Sequence, residues 1–126
     1  MHKSGEDYLE TILKIVEETK NCEVRITDIS KMMGVAKSSV SRAIGNLKNE
    51  GYVNQELYSD VSLTSKGMLV AQRVYNRHKT LTSFFADILG VDRTLAEHDA
   101  CLIEHDISSE TMEKLVSYIA TQQERK

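Results

Sequence analysis

The segment ACLIEHD carries three kinds of metal-binding side chain at helical spacing. Cys101, Glu104 and His105 stand at positions i, i+3 and i+4, which predicts that they share one face of a helix. Thiolate, carboxylate and imidazole are strong protein ligands for divalent first-row metals. Glu97 and His98 lie one turn earlier on the same predicted face. The pattern therefore predicts a metal site in the C-terminal half of the chain.

Three residues elsewhere in the chain are further candidate ligands. Asp7 and Glu10 share a face of the first predicted helix, and His78 interrupts the apolar stripe of a later one. Each also has a simpler interpretation, because acids are typical of a helix start and a histidine on an apolar face is usually a hydrogen-bonded core residue. Within ACLIEHD, Cys101 taken alone could be a small buried residue, and Glu104 and His105 could be a pair on the surface. The metal interpretation depends on the combination of ligand types.

The elements that position these side chains are predicted to be mostly helices. A short helix, a turn at Gly34 and a second helix that ends at Gly51 form the pattern of a helix-turn-helix. Two short strands around residues 57–60 then predict a wing, and Thr64 or Ser65 caps a long helix. Two shorter helices follow. The predicted fold class is mainly α, with a winged helix-turn-helix domain followed by a helical domain.

The second helix of the helix-turn-helix has a polar, basic surface near its start. Small hydroxyl side chains allow close approach to a duplex, and lysine and arginine pair with phosphates or guanine edges. The predicted DNA-binding residues are Lys37, Ser38, Ser39, Ser41 and Arg42. The alternative is a helical hairpin with a solvated face. The wing that follows favours DNA binding.

Charge and composition narrow the function class. The 126 residues carry a formal net charge of -3, but residues 1–80 hold 12 Lys and Arg against 10 Asp and Glu, whereas residues 81–126 hold 4 against 9. We expect a polyanion at the first part and a cation at the second. The sequence has no common nucleotide-binding or hydrolase motif, so no catalytic residue is assigned and no enzyme is expected. Without a secretory or transmembrane segment, we expect a cytoplasmic protein with no membrane partner.

A homodimer is expected for two reasons. A chain with so few positive charges would bind DNA weakly as a monomer. In addition, the C-terminal half carries more apolar surface than two short helices can hide. The predicted interface residues are Phe84, Phe85, Ile88, Leu89, Leu115, Val116 and Ile119. The alternative is that these apolar stripes cover each other.

The chain resembles the diphtheria-toxin-repressor and manganese-transport-regulator family of metal-dependent transcriptional repressors. The resemblance is carried, in this order, by EDYLETIL, ITDISKMMGVAKSSVSRAIGNLKNEGYV, LTSKG, VYNRHKTLTSFFADILGVD and DACLIEHDIS. It implies a winged-helix DNA-binding domain over residues 1–75 and a helical metal-binding and dimerisation domain over residues 76–126. It also implies a short form without the SH3-like domain, which binds double-stranded operator DNA as a dimer and controls metal-homeostasis genes.

The resemblance also implies a set of metal ligands for one or two ions. These are Asp7, Glu10, His78, Cys101, Glu104 and His105. Manganese-type members share the two acids of the first helix but have a carboxylate in place of the cysteine, whereas iron-type members share the cysteine but have methionine where Asp7 stands. Iron-type members have an ancillary site that begins at the His78 position. The position of the next ligand of that site, a carboxylate in those members, is occupied here by Thr82. Glu97 or His98 then remain as candidate ancillary ligands.

This mixture of ligands leaves the metal open between two ions. A thiolate favours Fe(II), Co(II) or Zn(II), whereas carboxylates favour Mn(II). We expect Fe(II) or Mn(II), with a slight preference for Fe(II), and binding of other divalent first-row metals in vitro. Two other functions stay open: a winged-helix regulator controlled by an organic effector or by oxidation of Cys101, and a small metalloenzyme. Metal-dependent DNA binding without turnover would separate them.

Overall fold

A computed structural model describes residues 3–56 and 60–124 of the chain. In chain order the elements are α1 (Lys3–Thr19), α2 (Ile26–Met33), α3 (Lys37–Asn49), β1 (Val53–Gln55), β2 (Val61–Leu63), α4 (Ser65–Ser83), α5 (Arg93–Ile103) and α6 (Ser109–Glu124), with a π-helical turn, Phe84–Ile88, directly after α4. This mainly helical architecture with a two-stranded wing confirms the predicted fold class. The chain divides into two compact units, Met1–Arg73 and Val74–Lys126. None of the helices in the described ranges has the length and apolar character that a membrane crossing requires.

The first unit is built on the predicted helix-turn-helix. Helices α1, α2 and α3 pack on one another, and Leu9, Ile29 and Ile44 are fully buried in their common core. Gly34 ends α2 with φ +69°, a left-handed conformation that glycine adopts without the steric cost of a Cβ. Its N–H donates to the carbonyl of Ser30 at 2.9 Å, which closes the turn before α3. The turn fixes the direction in which α3 leaves the core.

The wing is an antiparallel pair of short strands. Val53 stands opposite Leu63, and Gln55 stands opposite Val61. Val24 adds one bridge to the outer side of Val61, with backbone hydrogen bonds of 2.8 Å in both directions. The turn predicted at residues 57–60 lies largely outside the described residues, which omit 57–59.

The start of α4 is held against the end of the helix-turn-helix. Thr64 Oγ1 accepts the N–H of Gly67 at 3.0 Å, which confirms Thr64 as the N-cap, and donates to the carbonyl of Gly51 at 2.7 Å. At Gly67 the backbone passes so close to Tyr52 that an added Cβ would lie 1.9 Å from the Tyr52 carbonyl oxygen. Only glycine fits this approach, so the wing and α4 meet in one fixed arrangement.

The second unit packs the later part of α4 with α5 and α6. Leu81, Ala100 and Met112, one from each helix, form its buried core. Phe85, Ile107 and Leu115 pack against this core and are partly buried. Burial of each large apolar side chain contributes roughly 1.5–3 kcal/mol. This core sets the spacing between the helices that carry the ACLIEHD residues and His78.

Helix α5 is shorter than the sequence pattern predicts. The apolar pattern predicts a helix over Val91–Asp106, but α5 begins two residues later, at Arg93, and stops at Ile103. There the N–H of Asp106 turns back to the carbonyl of Ile103 at 3.1 Å. At the other end the Asp92 carboxylate accepts the first free backbone N–H groups, at 3.2 and 3.4 Å.

Candidate metal centre and nucleic-acid interface

Three of the predicted ligands meet inside the second unit. His78, on α4, places Nδ1 2.8 Å from Glu104 Oε2 and 3.8 Å from Cys101 Sγ. One donor atom from each of these side chains lies within 4.8 Å of the other two. The structure therefore brings together an imidazole, a thiol and a carboxylate, the three ligand types that the sequence pattern predicted.

The shape of this cluster follows from the early end of α5. Cys101 belongs to the last turn of the helix, Glu104 is its C-cap residue, and His105 lies in the turn beyond it. The prediction of one continuous helix face through His105 is therefore wrong. The turn still keeps His105 beside Glu104, with His105 Nε2 3.5 Å from Glu104 Oε1.

Burial increases from the thiol to the carboxylate. Cys101 is exposed, whereas the side chain of His78 is 13% exposed and that of Glu104 is fully buried. Glu104 Oε1 accepts no hydrogen bond from any residue of the described ranges. A buried carboxylate oxygen without a hydrogen-bond donor is costly unless a cation lies nearby. The donor types and this buried oxygen both fit a divalent metal ion.

The same contacts change the proton affinity of His78. The neighbouring Cys101 sulfur and the hydrogen bond to Glu104 raise the pKa of His78 from 6.5 to about 10, against the opposing effect of partial burial. The imidazolium therefore donates its Nδ1–H to the Glu104 carboxylate at neutral pH. A metal ion that used this nitrogen would have to displace the proton.

The other predicted ligands lie apart from this cluster in the sequence. Asp7 and Glu10 are one turn apart on α1 in the first unit, where Glu10 is 4% exposed and lies 3.7 Å from Lys14 Nζ. Glu97 and His98 are exposed on α5. Within the described ranges neither of these two belongs to a group of three ligand side chains. No ancillary cluster is therefore assembled there.

Helix α3 exposes its polar surface as predicted. The five predicted DNA-contact residues, Lys37, Ser38, Ser39, Ser41 and Arg42, are all exposed. Val40 and Ile44 are fully buried on the opposite side. In the described part of the chain no side chain caps the first turn of α3, so its N–H groups remain available to a phosphate. The helix offers both hydroxyl and cationic groups on one accessible surface.

The predicted dimer residues divide into two groups. Phe85 and Leu115 pack against the core of their own unit, whereas Leu89 and Val116 are 59% and 50% exposed. Phe84 makes an edge-on contact with Tyr118, with the ring centroids 6.3 Å apart. Ile88 and Ile119 are half-buried. The alternative, in which the stripes cover each other, thus applies to part of the set.

The predicted interface residues do not include an exposed apolar stripe on α5. Leu95 and Leu102 are both 52% exposed and lie seven residues apart, so they share a face of the helix. These leucines add to the exposed apolar surface of the second unit.

Two family models match consecutive parts of the chain. The iron dependent repressor N-terminal DNA-binding domain matches residues 1–61, and the iron dependent repressor metal-binding and dimerisation domain matches residues 64–125. A helix-turn-helix transcriptional regulator of Methanocaldococcus jannaschii, described as uncharacterized, is 36% identical over 115 residues, 91% of each chain. The regulator MntR of Bacillus subtilis is 34% identical over 126 residues, 98% of this chain and 87% of its own.

Solved structures show the same architecture. A manganese-dependent transcriptional repressor in complex with manganese superposes with a TM-score of 0.83 at 26% identity, covering 92% of this chain and 52% of its own. The manganese regulator SloR superposes with a TM-score of 0.79 at 25% identity, covering 92% and 53%. The chain thus spans about half the length of these two solved chains.

Proposed function

Because the chain belongs to the iron-dependent repressor family, we propose that it is a cytoplasmic, metal-dependent repressor that binds operator DNA as a homodimer and controls metal-homeostasis genes. Members of this family are transcriptional repressors, so the expectation that the chain is not an enzyme is confirmed. We assign DNA binding to residues 1–75, and metal binding and dimerisation to residues 76–126.

The observation that carries the proposal is the cluster of His78, Cys101 and Glu104. A bound divalent ion would supply the positive charge that balances the thiolate and the buried carboxylate. His78 would contribute its imidazole after losing a proton, and His105 lies beside the same carboxylate. Asp7 and Glu10 remain predicted ligands on the strength of the family resemblance.

We propose Fe(II) as the preferred metal, with Mn(II) as the alternative. The thiol of Cys101 supports Fe(II), because a thiolate is a softer ligand than a carboxylate. Carboxylates at positions 7, 10 and 104 support Mn(II). The relatives are divided in the same way, since both matched family models are named for iron and the two solved structures above are named for manganese.

Anaerobic calorimetry of metal-free protein with Fe(II) and with Mn(II) tests the metal site. We expect saturable binding of one or two ions per chain, and loss of that binding in Glu104→Gln, which removes the buried charge but keeps the side-chain volume. Glu113→Gln on α6 is the matched control, because Glu113 is exposed. If folded wild type binds neither metal, or if Glu104→Gln binds normally, the assigned site is wrong. A regulator controlled by an organic effector or by Cys101 oxidation would then be favoured.

DNA binding is tested with an operator selected from a random duplex library by the metal-loaded protein. Lys37→Ala and Arg42→Ala should weaken binding and leave metal affinity unchanged. If the lost contact is to a phosphate, the slope of log K against log salt should fall by about one per contact. Lys114→Ala on α6 is the control for a lost exposed charge. Unchanged affinity in both test variants would mean that another element contacts the DNA.

The homodimer is tested by sedimentation velocity over a range of protein concentrations. Val116→Glu places a charge on the exposed apolar surface and should lower the dimer fraction. Ser117→Glu, at the neighbouring exposed position, is the matched control. A mass that stays monomeric at all concentrations would rule out the dimer.

A further inference from the structure

Arg77 precedes His78 on α4 and makes three hydrogen bonds to the segment that joins α5 to α6. Its Nη1 donates to the carbonyl oxygens of Glu104 at 3.2 Å and Ile107 at 3.0 Å. Its Nη2 donates to Ser109 Oγ at 3.2 Å. One side chain therefore binds the C-cap residue of α5, the intervening turn and the first residue of α6.

Two of these acceptors are backbone carbonyls of the segment that follows α5, beyond the last residue of the helix. The last carbonyls of an α-helix have no intrahelical donor. The Ile103 carbonyl is satisfied by the N–H of Asp106 at 3.1 Å, whereas those of Glu104 and Ile107 receive Arg77. The guanidinium thus completes the backbone hydrogen bonding of the turn that carries Glu104 and His105.

We propose that Arg77 is a positioning residue for the metal site, an inference that rests on the proposed function. Successive residues of α4 hold Glu104 in two different ways: Arg77 binds its main-chain carbonyl, and His78 binds its side-chain carboxylate. Together these bonds fix the distance and the orientation of the Glu104 donor atoms relative to His78. Loss of the main-chain bond would leave the ligands present but poorly aligned.

An arginine suits this role better than a lysine. The guanidinium presents several N–H groups in a rigid plane, so it can reach two carbonyls and a hydroxyl at the same time. A lysine ammonium is a single point with a flexible stem and would keep only part of this set. We therefore expect Arg77→Lys to keep only part of the contribution that Arg77 makes to metal affinity.

The charge of Arg77 and its positioning contacts predict opposite changes in metal affinity when the residue is replaced. A positive group beside the site repels a metal cation, so removal of charge alone would raise metal affinity. Removal of a positioning contact has the opposite effect, because supporting groups around metal ligands typically contribute about 10- to 100-fold to affinity. Arg77→Gln therefore separates the two roles by the direction of the change.

The test compares Mn(II) and Fe(II) affinities of metal-free protein under anaerobic conditions. We expect Arg77→Gln to weaken binding about 10- to 100-fold, and Arg77→Lys and Ser109→Ala to weaken it less, with the number of ions per chain unchanged. Arg93→Gln is the matched control, because Arg93 is an exposed arginine that pairs with the exposed carboxylate of Asp87 at 3.6 Å. At saturating Co(II), the thiolate-to-metal absorption should persist in Arg77→Gln while the ligand-field bands shift.

Hydrogen exchange of the metal-free proteins separates this proposal from the proposed function. Faster exchange confined to residues 104–109 in Arg77→Gln supports the positioning role, and Ser109→Ala provides the same test if Arg77→Gln does not fold. Unchanged or tighter metal binding in Arg77→Gln, while Glu104→Gln abolishes binding, would overturn the role of Arg77 and leave the proposed function intact. Absence of metal binding in the wild type would overturn both.

Discussion

The raised pKa of His78 predicts that the metal-free protein loses stability as the pH rises above neutral. A histidine whose pKa is raised on folding stabilises the native state below its unfolded pKa, near 6.5, and this contribution is lost as the pH rises through the folded pKa. For His78 that folded value is about 10. The sensitive range is therefore pH 6.5 to 10, and above about pH 7.5 an unperturbed histidine hardly titrates.

The size of the effect follows from the two pKa values. For one proton, a shift from 6.5 to about 10 corresponds to a loss of at most about 3 kcal/mol in unfolding free energy between pH 7.0 and 9.5. Solvent screening reduces this limit, because His78 is only partly buried and Cys101, the largest cause of the shift, is exposed. We expect a loss of about 1.5 kcal/mol.

Urea denaturation in the presence of a chelator measures this loss. The wild type and His78→Gln are compared at pH 7.0 and 9.5, so that titration of other groups cancels in the difference between them. The stability advantage of the wild type should be larger at pH 7.0, and Cys101→Ser should reduce its pH dependence. An advantage that is equal at the two pH values, or larger at 9.5, would refute the raised pKa and the charged interaction with Glu104.

Three further predictions concern stability and are checked by denaturant unfolding. Gly67→Ala should destabilise the protein by about 3 kcal/mol, because the added Cβ would collide with the Tyr52 carbonyl oxygen. Gly45→Ala, in the interior of α3 where a Cβ meets no neighbour, should stabilise it by about 0.5–1 kcal/mol. Similar effects of the two substitutions would contradict the close approach at Gly67. Thr82→Val should raise the free energy of unfolding by about 1 kcal/mol, because the buried Thr82 hydroxyl makes no hydrogen bond within the described ranges. A lower free energy of unfolding would show that the hydroxyl has a hydrogen-bond partner. Asp92→Ala should cost about 1 kcal/mol through loss of the α5 cap, and no change would show that this cap is dispensable.

The sequence was sufficient to predict the elements that depend on local signals. Gly34 marks the turn of the helix-turn-helix, and its left-handed conformation is one that few other residues adopt. Thr64 and the apolar stripe that follows it mark the start of α4. Residues Cys101 and Glu104 were predicted to lie together because helical spacing places positions i and i+3 side by side.

Features that depend on main-chain hydrogen bonds or on tertiary contacts could not be predicted in the same way. The end of α5 at Ile103 is set by backbone hydrogen bonds of the following turn, which leave no mark in residue type. Arg77 was missed for the same reason, because two of its three acceptors are main-chain carbonyls that any residue would supply. The exposure of Cys101 beside a fully buried Glu104 likewise depends on how α4 and α6 cover this part of α5.

The proton on His78 links metal binding at the candidate site to pH. Glu104 is fully buried, and a buried carboxylate needs a nearby positive charge. In the metal-free protein that charge is the imidazolium, whose pKa of about 10 keeps it protonated at neutral pH. A divalent ion bound through the same nitrogen would replace the proton, so metal and proton would compete for this site. Through His78 alone, each pH unit below 10 would then weaken apparent metal affinity about tenfold, which makes the metal response depend on pH as well as on metal concentration.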